Sequence, residues 1–338
     1  GFSDPRFYAD TPVLTIQKCP TGKYTLLYEG EGKIEFWPAE KVSVLEKYPG
    51  KMILDVKGAG LFIKLSEINP QNYVRNIHLL LPGTGDIYKN QPFRQGFLDM
   101  WKGMKAYRFM DWMHTNGSEI SKWEDRPKPE DETYTVKGAP LELMISLCNE
   151  QKVNPWFCMP HKADDDYIRN FARTVKENLD PSLKVYVEYS NEVWNGMFPQ
   201  NKYAQEKAKE LGLGPVERPW EGGAMFYCRR SVQIFKIWEE VFGGRDRLVR
   251  VIAWQAANAW WTEHILLPFE DLPKSCDAFA IAPYITMCIG PKTKPASDEV
   301  ANWSLDQVFD HIGKNSLPES VKWMKDQRKA VEKYGLRL

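Results

Sequence analysis

A chain of 338 residues with 43% hydrophobic content is long enough to bury one large core and carry a small additional unit. Its 45 Lys plus Arg balance 45 Asp plus Glu, so no net field draws it to nucleic acid or to an anionic membrane surface. No apolar run reaches the ~18 residues of a bilayer span, and Gly1-Phe2-Ser3-Asp4 lacks the basic start and apolar stretch of a signal peptide. Six cysteines, at positions 19, 148, 158, 228, 276 and 288, form no Cys-x-x-Cys pair, which argues against a structural zinc site.

Residues 1–72 are β-rich. Short runs near residues 14–16, 24–28, 33–37, 52–56 and 61–65 are punctuated by Gly30, Gly32, Pro49-Gly50, Gly58 and Gly60. They predict a sandwich-like accessory region, read either as a sugar-binding module or as a packing domain.

Residues 73–338 change to strands alternating with helices, the order that builds a parallel sheet. Strands are expected at residues 76–81, 105–110, 154–159, 183–189, 247–254 and 278–284, and residues 335–338 resemble the start of a seventh. The main helices are expected at residues 92–104, 140–151, 165–178, 199–211, 222–242, 305–312 and 319–333. The third of these carries Tyr167, Ile168, Phe171, Ala172 and Val175 at helical spacing. This pattern predicts a (β/α)8 TIM barrel that is incomplete in this chain, with about six units plus the start of strand seven and without the last two units. A doubly wound sheet competes less well, because Pro82-Gly83-Thr84-Gly85 lacks the spacing of a phosphate loop.

The most informative stretch is Val-Tyr-Val-Glu-Tyr-Ser-Asn-Glu-Val-Trp-Asn at residues 185–195. A buried strand here ends abruptly in Ser190, Asn191, Glu192 and Asn195. In a parallel barrel that end is where loops build active sites, so Glu192 is read as an acid/base carboxylate rather than a surface glutamate in a turn. The same argument places Asp111 and His114 after the second strand, His161 after the third, and Trp254 and Gln255 after the fifth. All are candidate sugar ligands, with Trp194 as a subsite wall. Plainer readings stand beside them: a hydrogen-bonded loop histidine for His161 and core packing for Trp254. A metal site from Asp111 and His114 is disfavoured, since both types are ordinary sugar ligands. Glu188 is read as structural, paired with a cation. Asn116-Gly117-Ser118 and Asn302-Trp303-Ser304 fit the glycosylation acceptor pattern.

Val187-Glu188-Tyr189-Ser190-Asn191-Glu192 resembles the fourth strand of clan A glycoside hydrolases, retaining enzymes on a (β/α)8 barrel whose fourth strand closes on an Asn-Glu pair. Arg108 on the second strand and Tyr284 after the sixth match two further positions, and the resemblance covers roughly residues 76–338. It implies a secreted or periplasmic retaining β-glycoside hydrolase, with its leader removed, acting in the degradation of a poly- or oligosaccharide. Retention needs two carboxyl groups about 5–5.5 Å apart. Glu192 is then the general acid/base, with a raised pKa, and Asn191 contacts the sugar 2-hydroxyl. Arg108 keeps the nucleophile ionised and Tyr284 orients it. The nucleophile itself is a glutamate expected just beyond Leu338, from a further segment or a second chain. The implied partner is a carbohydrate, with no cofactor, no nucleic acid and no membrane. The alternative is a non-catalytic carbohydrate-binding protein that keeps the cleft.

Overall fold

The structure, a computed structural model, describes residues 8–14, 19–85, 87–89, 92–131, 133–270 and 272–338. The chain divides into two units, Gly1–Trp101 and Lys102–Leu338.

The first unit holds seven strands: β1 (Tyr8–Leu14), β2 (Gly22–Glu29), β3 (Lys33–Trp37), β4 (Val42–Tyr48), β5 (Lys51–Val56), β6 (Leu61–Ser66) and β7 (Arg75–Leu80). They form two antiparallel sheets, ordered β1-β6-β3 and β4-β5-β2-β7. Side chains alternate along β5, so Met52, Leu54 and Val56 point inward while Lys51 points to solvent. They meet Tyr24 and Leu26 of β2 and Leu61 and Ile63 of β6 in one shared core. Pro49 and Gly50 connect β4 to β5 in a two-residue hairpin, and Gly50 takes a φ of 73° there, a conformation open to glycine at low cost. The strand expected near residues 14–16 falls at β1, with residues 15 and 16 outside the described residues.

The placement of residues 76–81 as a first barrel strand is overturned. That segment is β7, which pairs antiparallel with β2 and sets Leu79 opposite Leu26 and His78 opposite Leu27. A short segment rich in Ile and Leu fits either kind of ladder, and burial distinguishes them. A parallel-sheet strand is covered on both faces, whereas β7 is mostly exposed, as an edge strand is. The helix that follows, α1 (Gln95–Met100), is shorter than expected and is closed off by Gly103 at a φ of 87°.

The second unit is built on one parallel sheet of five strands: β8 (Ala106–Arg108), β9 (Asn154–Met159), β10 (Val185–Tyr189), β11 (Leu248–Ala253) and β12 (Ala278–Ala280). Their spatial order, β12-β11-β10-β9-β8, follows the chain, and the sheet curls like half a barrel wall. The expected TIM barrel of six units plus a seventh strand is therefore corrected to five parallel strands. One strand is lost to the first unit, as described. The stretch at residues 335–338 contributes only one bridge, Arg337 with Ala278, closed by the Phe279 amide donating to the Arg337 carbonyl at 2.7 Å. The sixth expected strand stops at Ala280, shortly before Pro283, which has no amide to donate to a ladder.

Connecting helices are α2 (Leu141–Gln151), α3 (Asp165–Asn178), α4 (Pro199–Glu210), α5 (Pro219–Phe242), α6 (Ala259–Trp261), α7 (Leu272–Ser275), α8 (Ser297–Val300), α9 (Leu305–Asn315) and α10 (Leu317–Glu332). Asp164 caps α3 by accepting the Tyr167 amide at 2.7 Å, and Gly243 at a φ of 77° ends α5. The buried stripe of α3 packs on the sheet through aromatic contacts. Phe157 of β9 lies 5.0 Å from Phe171 of α3, and Phe171 lies 6.1 Å from Trp238 of α5, ring centre to ring centre. No helix among the described residues is long and apolar enough to cross a membrane.

Phe157 is 0% exposed at the centre of this cluster. Phe157→Ala is expected to lower unfolding free energy by about 3–5 kcal/mol. Phe309→Ala, on the exposed face of α9 at 67% exposure, is expected to change it by less than about 0.5 kcal/mol. Denaturant titration of the two variants side by side checks both values.

Candidate active site

β10 is the middle strand, and its C-terminal end breaks sharply. The Ser190 amide still donates to the Met159 carbonyl of β9 at 2.8 Å, extending the ladder by one step. Ser190 then adopts a φ of 59° and Glu192 a φ of 41°, the left-handed region that costs a non-glycine residue about 1–3 kcal/mol. Two such residues flanking Asn191 turn the chain and bring the Glu192 carboxylate over the sheet edge.

Each oxygen of that carboxylate has a donor. Asn195 Nδ2 donates to Oε2 at 2.9 Å, and the Asn195 amide donates to the Glu192 carbonyl at 2.8 Å, closing the turn. Tyr284 Oη donates to Oε1 at 3.3 Å. The Glu192 charge, more than the partial burial of the ring or the hydrogen bond, raises the Tyr284 phenol above its ordinary value.

Beneath Glu192 lies a network assembled from four segments. Arg108 of β8 donates through Nε and Nη2 to the two Glu188 oxygens at 3.0 and 2.9 Å, a bidentate pair. Trp156 Nε1 of β9 adds a third bond to Glu188 at 2.8 Å. Arg108 Nη2 also reaches Asn191 Oδ1 at 2.9 Å, which fixes the Asn191 amide so that Nδ2 donates to Asn116 Oδ1 at 3.0 Å. Gln200, 0% exposed on α4, donates through Nε2 to both Asn116 Oδ1 and the Asn191 carbonyl at 2.8 Å, and its Oε1 accepts the Gly117 amide at 3.0 Å. Burial opposes the Arg108 charge, but the facing Glu188 carboxylate outweighs it and the guanidinium is held above its ordinary pKa.

Arg108, Asn191, Glu192, Trp194, Trp254, Gln255 and Tyr284 all line one cleft of about 520 Å³ at this end of the sheet. Seven of the residues singled out from the sequence thus converge. The other three do not line it. His161 is 2% exposed and packs edge-on against Tyr203 at 5.2 Å, with no hydrogen bond to either ring nitrogen among the described residues. Asp111 is exposed, and His114 lines a separate depression with Asp125 and Lys137. Among the described residues no group of three or more His, Cys, Asp or Glu side chains is placed to hold a metal ion.

Sequence reasoning missed Asn116 and Gln200 and, among the residues lining the cleft, Met110, Trp156, Met287 and Trp323. Asn116 was visible only as a glycosylation acceptor pattern, and its side chain is instead committed to Asn191 and Gln200. Gln200 follows Pro199 at a helix start, which signals a helix and nothing about a site. Trp254 is both core and wall: it is 5% exposed and packs on Tyr227 and Trp261 while bordering the cleft.

Comparison with known proteins gives no match to any family model, curated protein or solved structure.

Two predictions follow from this geometry. Gln200→Ala removes the Gln200 partners of the Asn191 carbonyl and the Gly117 amide, and is expected to destabilise the fold by about 1–3 kcal/mol per orphaned buried group. Gln200→Glu, which can still accept from Gly117 but no longer donates, is expected to be no better, and thermal unfolding of both variants tests this. The second prediction concerns His161. Burial, reinforced by Lys162, pushes its pKa down to about 4. The unfolded chain, with an ordinary pKa near ~6.5, binds more protons than the fold between those values. Stability is therefore fully present above about pH 6.5 and falls as pH drops toward 4, by up to about 3 kcal/mol from this group. Unfolding free energies of the wild type and His161→Phe from pH 7 to 4 should diverge in slope by that amount; parallel curves would refute it.

Proposed function

We propose that the second unit is a retaining β-glycoside hydrolase acting on a poly- or oligosaccharide, with Glu192 as general acid/base. The observation that carries this reading is the half-buried Glu192 carboxylate at the end of the central strand, facing a cleft walled by Trp194, Trp254 and Trp323. Indole faces suit the apolar faces of pyranose rings. The resemblance of residues 187–192 to the strand of clan A hydrolases that closes on Asn-Glu supports the same assignment, with that strand the third of five here and not the fourth, and Arg108 and Tyr284 support it by lying beside Asn191 and Glu192.

In this reading Glu192 gives its proton to the glycosidic oxygen as that bond breaks, and the departing sugar leaves as an alcohol. A carboxylate nucleophile takes the anomeric carbon. Glu192 then removes a proton from water as the water displaces the carboxylate, and the acid is restored. Asn191 Nδ2 has one hydrogen on Asn116 and a second for the sugar 2-hydroxyl. Tyr284 and Asn195 keep the carboxylate aimed at the cleft. A carbohydrate partner met outside the cell accords with a secreted or periplasmic location.

One observation favours a second reading, a non-catalytic carbohydrate-binding protein. The other carboxylate lining the cleft, Glu188, is 1% exposed and occupied by Arg108, Trp156 and Cys158. It is thus engaged below the cleft floor rather than free to attack. The two readings separate on Glu192 variants. Under the hydrolase reading, Glu192→Gln lowers kcat/KM on aryl β-glycosides by about 10²–10⁴-fold. Glu192→Ala with a good leaving group is partly rescued by azide, yielding a β-glycosyl azide. No turnover by the wild type, with retained sugar binding, establishes the binder instead.

A further inference from the structure

We infer that the cleft selects an uncharged pyranosyl unit and excludes sugars bearing a carboxylate or sulfate. This rests on the proposed carbohydrate site and names its substrate class. The charge balance of the cleft wall carries this selectivity. Three formally charged side chains line it among the described residues: Arg108, Glu188 and Glu192. With Glu188 closed against Arg108, the sum is −1 when Glu192 is ionised and zero when it carries the proton it donates, and in neither state is it positive. The single cation is already paired with a buried carboxylate. Arg108 gives Nε and Nη2 to Glu188 and shares Nη2 with Asn191, while its guanidinium lies over the Trp156 ring at 5.4 Å. An anionic sugar brought here would leave water for a site with no net positive charge, whose one cation is already shared with a buried carboxylate.

The remaining wall is built for a neutral ring. Trp194, Trp254 and Trp323 offer apolar faces, and Ala253, Ala256, Ala280 and Ala282, with nothing beyond Cβ, leave room for a ring between them. The polar groups facing it, Gln255, Tyr284 and Asn191, are hydroxyl partners that carry no charge. Charge at a buried recognition site acts as strongly by exclusion as by attraction, so this pattern discriminates against acids even where shape would admit them.

The test is a matched panel of aryl β-D-glucoside, xyloside, mannoside, galactoside and glucuronide, assayed with the wild-type protein. The expected result is turnover of at least one neutral glycoside with the glucuronide at least about 100-fold lower in kcat/KM. A glucuronide cleaved as fast as the best neutral substrate overturns the selectivity and leaves the hydrolase reading standing. If nothing is cleaved, the hydrolase reading fails, and calorimetry with neutral and with uronic or sulfated oligosaccharides decides the selectivity alone. Binding of neutral ligands only supports it; binding of acidic ligands, or of neither class, overturns it.

Discussion

Glu188 is 1% exposed within the middle strand of a parallel sheet, and a carboxylate withdrawn from water there is tolerable only with a full set of donors. Arg108 supplies two, Trp156 a third and the Cys158 thiol a weak fourth. The pair ties β8 to β10 across β9, so it sets the relative placement of three neighbouring strands. Such a pair adds little net stability compared with apolar side chains of similar size. Removing either partner, however, strands a buried charge at a cost of about 3–5 kcal/mol. Its value lies in specification. Arg108 Nη2 is shared with Asn191, so the strand spacing set by the ion pair is passed directly to the residue that precedes Glu192.

Elements whose identity is local were legible from sequence. The α3 helix lies at Asp165–Asn178 because its five apolar residues fall on one face and Asp164 caps it, both properties of a single contiguous segment. β9 at Asn154–Met159 is equally self-contained. β7 was not, because residues 76–81 satisfy the pattern of a buried strand while the direction and identity of the neighbour reside elsewhere in the chain. Thr25, Leu26 and Leu27, some fifty residues earlier, decide that the ladder is antiparallel. Strand count followed from that misplacement, and with it the barrel. The short β12 carries the same lesson in reverse, since apolar residues 281 and 282 continue the pattern after pairing has stopped.

The site divides along similar lines. Asn191, Glu192, Trp194, Trp254, Gln255 and Tyr284 could be read from position because strand ends of a parallel sheet share one rim, a rule that survives the reduction to five strands. That rule gives position along the strand but not the direction a loop takes after it. His161 turns back into the core beside Tyr203, and Asp111 and His114 leave the cleft with their loop. Asn116 and Gln200 escaped notice because their partners lie 75 and 84 residues away in sequence, and nothing local marks an amide that will be buried at that range.

The position of Glu192 is over-determined in a way that accounts for its backbone. A left-handed glutamate reverts to an ordinary turn unless the surroundings forbid it. Here Ser190 is anchored by the β9 ladder, Asn191 is gripped on both faces of its amide and at its carbonyl, and Asn195 closes the far side of the turn. Strain at residues 190 and 192 is thus balanced by bonds at 191 and 195, with the backbone held by buried groups and the carboxylate held only by two cleft-side donors. The consequence is a side chain whose root cannot shift while its oxygens remain exchangeable between Tyr284, Asn195 and an incoming hydroxyl. The proton transfer we propose for Glu192 would require that division between a fixed backbone and replaceable hydrogen bonds.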